Sequence, residues 1–141
     1  MKVKEIYHAD TSTKLKLPFI QNIVRAGYPS PAADYVEKKL DLNEYLIKHK
    51  EATYFIRVEG DSMEDNKIYN GDLLIVDRSV EAKMGNIVVV NINGEMTVKV
   101  IDKIEDKLYL VAGNSKYKPI EITEETELLI WGVVTYIVHK A

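Results

Sequence analysis

From Thr53 to Val138 apolar residues recur at every second position in short runs, and turn residues separate the runs. A period of two puts alternate side chains on opposite faces of a strand, which commits most of this chain to β structure. The runs are Thr53–Glu59, Leu73–Asp77, Ile87–Ile92, Met96–Lys103, Leu108–Val111 and Leu128–Val138. Asn93-Gly94 between two of them is a hairpin signal, because both residue types accept the positive φ of a tight two-residue turn. Asn70-Gly71 marks a second turn. Many short strands separated by turns specify a mainly β fold with a compact barrel-like or sandwich core. The 141 residues suit one such core and need no covalent staple.

The N-terminal part reads differently. Residues 1–26 hold no sustained period, and Lys14–Ile20 is at best a short edge strand interrupted by Pro18. Ala26-Gly27-Tyr28-Pro29-Ser30-Pro31 is a loop. Ser30 as N-cap and Pro31 at the first helical position predict a short helix through Lys39. Asp41, with Glu44 three residues on, predicts a second helix ending near His49 or Lys50. The expected organisation is a basic N-terminal arm over 1–26 and a β-rich domain over 27–141.

Charge supports that division. Residues 1–26 carry five basic and two acidic side chains, and the other 115 carry 14 basic and 20 acidic. An acidic body without a basic stripe argues against direct, phosphate-driven DNA binding. The absence of cysteine excludes disulfides, thiolate metal sites and cysteine nucleophiles, and no cofactor motif is present. No apolar run is long enough for a membrane span, and the N-terminus lacks a secretion signal, so a cytoplasmic protein with no membrane association is expected.

Three features bear on chemistry. Ser62, in Gly60-Asp61-Ser62-Met63, follows a strand on a turn. Such a serine is either a cap or a nucleophile with turn amides beside it, and a nucleophile needs a base. His8, His49 and His139 stand in no motif, which leaves a Ser-His-Asp triad little support. Lys99 is the other base to consider. A two-residue turn at Asn93-Gly94 pairs Ile92 with Glu95, Val90 with Thr97 and Val88 with Lys99. Lys99 then lies among Val88, Val90, Thr97 and Ile101. There it is either a desolvated amine with a depressed pKa or an edge lysine reaching water. The bond Ala26–Gly27, a small residue before glycine in a loop, is either a cleavable peptide or an ordinary linker.

Taken together, the motifs and their order resemble the LexA/UmuD group of self-cleaving serine–lysine peptidases of the DNA-damage response. The matching stretches are 26–37, 41–49, Gly-Asp-Ser-Met at 60–63, Gly-Asp-Leu-Leu-Ile-Val-Asp at 71–77, Gly-Glu-Met-Thr-Val-Lys at 94–99, 114–120 and 132–134. The resemblance implies a LexA/signal-peptidase-like β fold with Ser62 as nucleophile and Lys99 as general base. It further implies Ala26–Gly27 as the self-cleaved bond and backbone amides of Asp61 and Ser62 as oxyanion donors. Ala26 is the residue LexA repressors carry before the cleaved glycine, where UmuD proteins carry cysteine. Twenty-six residues cannot hold the repressors' helix-turn-helix, so the UmuD branch is favoured. That branch implies a homodimer, stimulation by a RecA filament on single-stranded DNA, and partnership with a UmuC-type Y-family DNA polymerase. The rivals are an idle β-rich dimeric binding module, a LexA relative without its DNA-binding domain, and a signal peptidase. The C-terminal run Leu128–Val134 is either a dimer edge or an internal strand.

Overall fold

The computed structural model describes residues 1–20 and 37–141. They fall into two compact units, Met1–Ala9 with Glu51–Ala141, and Asp10–Lys50. The first unit holds β1 (Lys2–His8), β4 (Thr53–Glu59), β5 (Leu73–Asp77), β6 (Ile87–Ile92), β7 (Glu95–Ile104), β8 (Lys107–Val111), β9 (Ile120–Glu121) and β10 (Leu128–Val138). These form one sheet in the order β1-β4-β5-β10-β6-β7-β8-β9, and a further pairing of β1 with β7 closes six of them into a barrel. The mainly β expectation is met. Four runs keep the bounds read from the period, β7 is longer by one residue at each end, and β8 starts one residue earlier.

The hairpin forms as the turn chemistry requires. Asn93 and Gly94 take φ values of 51° and 86°. Ile92 pairs with Glu95, Val90 with Thr97 and Val88 with Lys99. Both faces of this hairpin are covered. Val89 and Val98 join a cluster with Ile56, Val58, Met63, Ile68, Leu74 and Val76. Val88 and Val90 join a second cluster with Ile101, Leu110 and Val133. A strand buried on both sides reads as a continuous apolar run, which is what 87–92 is.

β10 is an internal strand, hydrogen-bonded to β5 on one side and β6 on the other. Its register shifts between Ile130 and Gly132 against β6, and between Val134 and Tyr136 against β5. Such bulges break strict alternation. They explain why consecutive Leu129 and Ile130 are both exposed, while Gly132 and Val133 are both buried. At Gly132 a β-carbon would stand 2.6 Å from Val76 Cγ1 and 3.3 Å from the Asp77 carbonyl oxygen. Gly132→Ala should therefore lower stability by about 1–3 kcal/mol, read as a lower denaturant midpoint at unchanged m-value.

The second unit holds β2 (Lys16–Ile20) paired antiparallel with β3 (Glu37–Asp41), followed by α1 (Leu42–Leu46). Among the described residues this ribbon has two strands, so Pro18 faces no third strand that would need its missing N–H. Asp41 caps α1 as expected, its carboxylate accepting from the Asn43 N–H. The helix is shorter than predicted and ends at Leu46. The helix expected through Lys39 is corrected over its last residues, because Glu37–Lys39 are strand. Pairing with β2 overrides a weak local helix preference there. The rest of that helix, 31–36, lies outside the described residues, as does the Ala26–Gly27 bond.

Besides β3, the two-residue β9 and the N-terminal β1 were not legible. β1 pairs with β4 from Lys2 opposite Glu59 to His8 opposite Tyr54. The first nine residues, read above as part of the arm, are built into the sheet. Among the described residues no helix is long and apolar enough to cross a membrane.

Candidate active site

The turn after β4 carries Ser62. Gly60 has φ of +113°, and its N–H donates to Asn70 Oδ1 at 2.9 Å, which uses the second Asn-Gly turn to hold the first. A positive φ of this kind favours glycine. The chain then turns through Asp61 and Ser62 into a short 3-10 segment at Glu64–Asn66. Ser62 and Met63 are fully buried.

A second loop fixes this turn from outside. The Asp65 N–H donates to the Gly113 carbonyl at 2.6 Å, and the Gly113 N–H meets Met63 Sδ at 3.3 Å. A β-carbon at Gly113 would stand 2.2 Å from Asn66 Oδ1, so the approach needs glycine. Asn114 Nδ2 donates to the Asp61 carbonyl at 3.1 Å. Because a peptide is planar and trans, pinning that carbonyl also fixes the direction of the Ser62 N–H. Tyr117 Oη donates to the Asp61 carboxylate at 2.7 Å, and Lys116 Nζ lies 3.6 Å from its other oxygen. The tyrosine bond, then Lys116, hold the Asp61 carboxyl below its usual range, and the same bond holds the Tyr117 phenol above its own.

Lys99 projects from β7 opposite Val88, as the hairpin register requires, and is only 8% exposed. Among the described residues no carboxylate pairs with it, and its ammonium faces the Tyr117 ring at 5.7 Å from the centroid. Burial lowers its pKa from the usual 10.5, because desolvation penalises the charged form. Lys99 is thus buried rather than exposed on an edge strand.

Tyr117 links the two halves: its oxygen holds the residue before Ser62 and its ring faces Lys99. Met1 does so more directly. Its amine donates to Ser62 Oγ at 2.5 Å, and its pKa is lowered, first by burial and then by the Lys99 charge. Ser62 and Lys99, 37 positions apart in sequence, are thus each linked to Met1, Ser62 by its Oγ and Lys99 by the charge that acts on the Met1 amine. Two histidines are engaged elsewhere. His8 stacks against Tyr54 at 4.8 Å, and His139 Nδ1 is 2.6 Å from Asp72. Among the described residues no cluster of three or more His, Cys, Asp or Glu gathers to hold a metal.

The Peptidase S24-like family profile matches residues 18–135. This chain belongs to that family. It is similar to Protein MucA of Salmonella typhimurium, 42% identical over 137 residues that cover 96% of this chain and 93% of the relative. Protein SamA of the same species is 43% identical over 115 residues, covering 82% of this chain and 79% of the relative. The LexA repressor of Carboxydothermus hydrogenoformans is 38% identical over 117 residues, which are 82% of this chain but 56% of that repressor. The resemblance to the LexA/UmuD group drawn from the motifs holds, and the barrel carries the S24 peptidase fold.

Motif reading of this S24 chain did not find Met1, Asn114 and Tyr117 as parts of the site. Asn114 and Tyr117 lie inside the matching stretch 114–120, so spacing held a signal for them. Met1 left none, because its place depends on a strand pairing that no local pattern encodes.

Proposed function

We propose that this S24 peptidase cleaves its own Ala26–Gly27 bond with a Ser62/Lys99 dyad. The observation that supports the reading is that Met1 meets both sides of the site: its amine meets the Oγ of the buried Ser62, and its carbonyl is held by Thr97, two positions along β7 from the buried Lys99. Neutral Lys99 takes the Ser62 Oγ proton as the oxygen attacks the Ala26 carbonyl carbon. Backbone amides of Asp61 and Ser62 stabilise the oxyanion, with the Asn114 bond to the Asp61 carbonyl supporting the aim of the Ser62 N–H. Lys99 then gives the proton to the departing Gly27 nitrogen, and water hydrolyses the acyl-serine. Substrate and nucleophile share one polypeptide or one dimer, so proximity replaces affinity. The cut separates an arm of 26 residues from a body of 115.

The physiological reading follows the family resemblance and the similarity to MucA and LexA. A RecA filament on single-stranded DNA stimulates the cut, and the trimmed homodimer serves a UmuC-type error-prone polymerase in the cytoplasmic DNA-damage response. No cofactor or direct DNA contact enters the reaction. Leu129 (59% exposed) and Val138 (45%) on β10 support the dimer, since an exposed apolar stretch on an internal strand is covered at low cost by a twin. Sedimentation at micromolar concentration should give twice the chain mass, and a monomer would count against it. The cleavage itself is tested by fragment masses of the purified full chain, with and without RecA, ATP and single-stranded DNA. An intact chain in every condition would leave a non-catalytic binding module.

A further inference from the structure

β1 does more than edge the sheet. It spans from β4 to β7, with Lys2 paired to Glu59 on one side and to Thr97 on the other. Thr97 lies two positions from Lys99 on the same strand face, and its Oγ1 donates to the Met1 carbonyl at 2.5 Å. On the other side the Met1 Cα lies 3.3 Å from where a Gly60 β-carbon would stand, so the bare Gly60 backbone gives the strand room to approach. Met1 and Val3 pack against the core cluster of Ile56 and Val58. The Met1 amine ends on Ser62 Oγ. Beside it an open depression is lined by Met1, Lys2, Glu59, Gly60 and Tyr117.

These are the parts of a main-chain binding groove: two strand flanks, a hydroxyl donor for a carbonyl, a glycine floor and the reactive serine at its end. An extended peptide docking there adds a strand and gains ladder hydrogen bonds. We infer that the groove between β4 and β7 is the docking site for the extended segment to be cut, and that Met1–His8 occupies it as an autoinhibitory strand. This rests on the peptidase reading above. Ser62 has its Oγ covered by Met1 and cannot meet a carbonyl until β1 lifts from Thr97 and Glu59. An activator then acts by favouring the displaced state.

The chain has no cysteine, so one engineered pair can lock this strand without competing thiols. Lys2 and Glu59 are directly paired and exposed, at a separation that suits a disulfide. The full-length Lys2→Cys/Glu59→Cys chain, once reduced, sets the reference rate of self-cleavage. Oxidised, it should cleave at least about tenfold more slowly, and reductant should restore the rate. Equal rates in the two redox states would overturn the inference. Occupancy is read independently of cleavage with a fluorescent peptide of the sequence Met1–His8. It should bind the full-length Val3→Asp chain, whose strand is expelled by a buried charge, and should not bind the oxidised pair. Equal binding to both would also overturn it. If Val3→Asp does not fold, the reduced pair, whose strand is free to exchange, takes its place and should bind more peptide than the oxidised pair. A chain that never cleaves in either redox state, yet binds the peptide only when unlocked, would sink the peptidase reading and leave the groove standing.

Discussion

Ser62→Ala is expected to remove self-cleavage altogether, a loss of at least about a thousandfold, with the fold intact. Ser62 is fully buried and its Oγ meets the Met1 amine, so losing one oxygen leaves a small void and one unpaired amine. That is a modest structural change for a complete chemical one. Lys99→Ala should have an equal effect on rate, and the double variant should be no worse than either single one, because nucleophile and base act as a unit. The measurement is the yield of the 26- and 115-residue fragments by mass, alongside a thermal melt of each variant. Fragments from Ser62→Ala at unchanged yield would move the nucleophile elsewhere. A cut at another bond would leave the dyad and move the substrate.

The pH profile should be the second large effect. Lys99 is 8% exposed, with no carboxylate partner among the described residues, and desolvation lowers its pKa from 10.5. Only the neutral amine can take the Ser62 proton. The rate should therefore rise about tenfold per pH unit below the lowered pKa and level off above it, since one proton must leave. Lys99→Arg keeps the charge and has no accessible neutral form, so it should be inactive at every pH that preserves the fold. The Met1 amine titrates beside Lys99, its own pKa lowered by burial and by that charge. Acetylating the N-terminus removes this second titration, and the rise with pH should persist without it. Stability should move in the same direction. The unfolded chain binds a proton at Lys99 that the folded chain has released, so stability rises with pH from the folded pKa to the unfolded one. A flat activity profile, or one peaking near pH 6 as a histidine base could give, would rule out Lys99 as the base. Single-turnover cleavage across pH 6 to 10.5 reads these outcomes.

The sequence by itself determined whatever local periodicity and turn chemistry control. Short apolar runs bounded by turn residues set the bounds of β4, β5, β6 and β10. Asn93-Gly94 fixed the hairpin register to the residue and so placed Lys99 opposite Val88. The spacing of Gly-Asp-Ser-Met and of Met-Thr-Val-Lys carried the family and the two site residues within reach of motif reading. Asp41 capped its helix for the same local reason.

Tertiary structure alone decided the long-range pairings. Glu37–Lys39 became strand because β2 offered a ladder that outweighed a helix cap seven residues away. The β10 bulges arose from serving β5 and β6 at once, a constraint that period counting along one strand cannot contain. Whether Lys99 was exposed or buried depended on what the fold places against it, the Tyr117 ring among them, and not on its own neighbours in sequence. Met1 reached Ser62 only because β1 closes the barrel between β4 and β7. Each of these contacts joins residues tens of positions apart, where the free energy lies in mutual burial and main-chain pairing. Neither leaves a mark in the residues immediately flanking the site, so only the folded chain can show them.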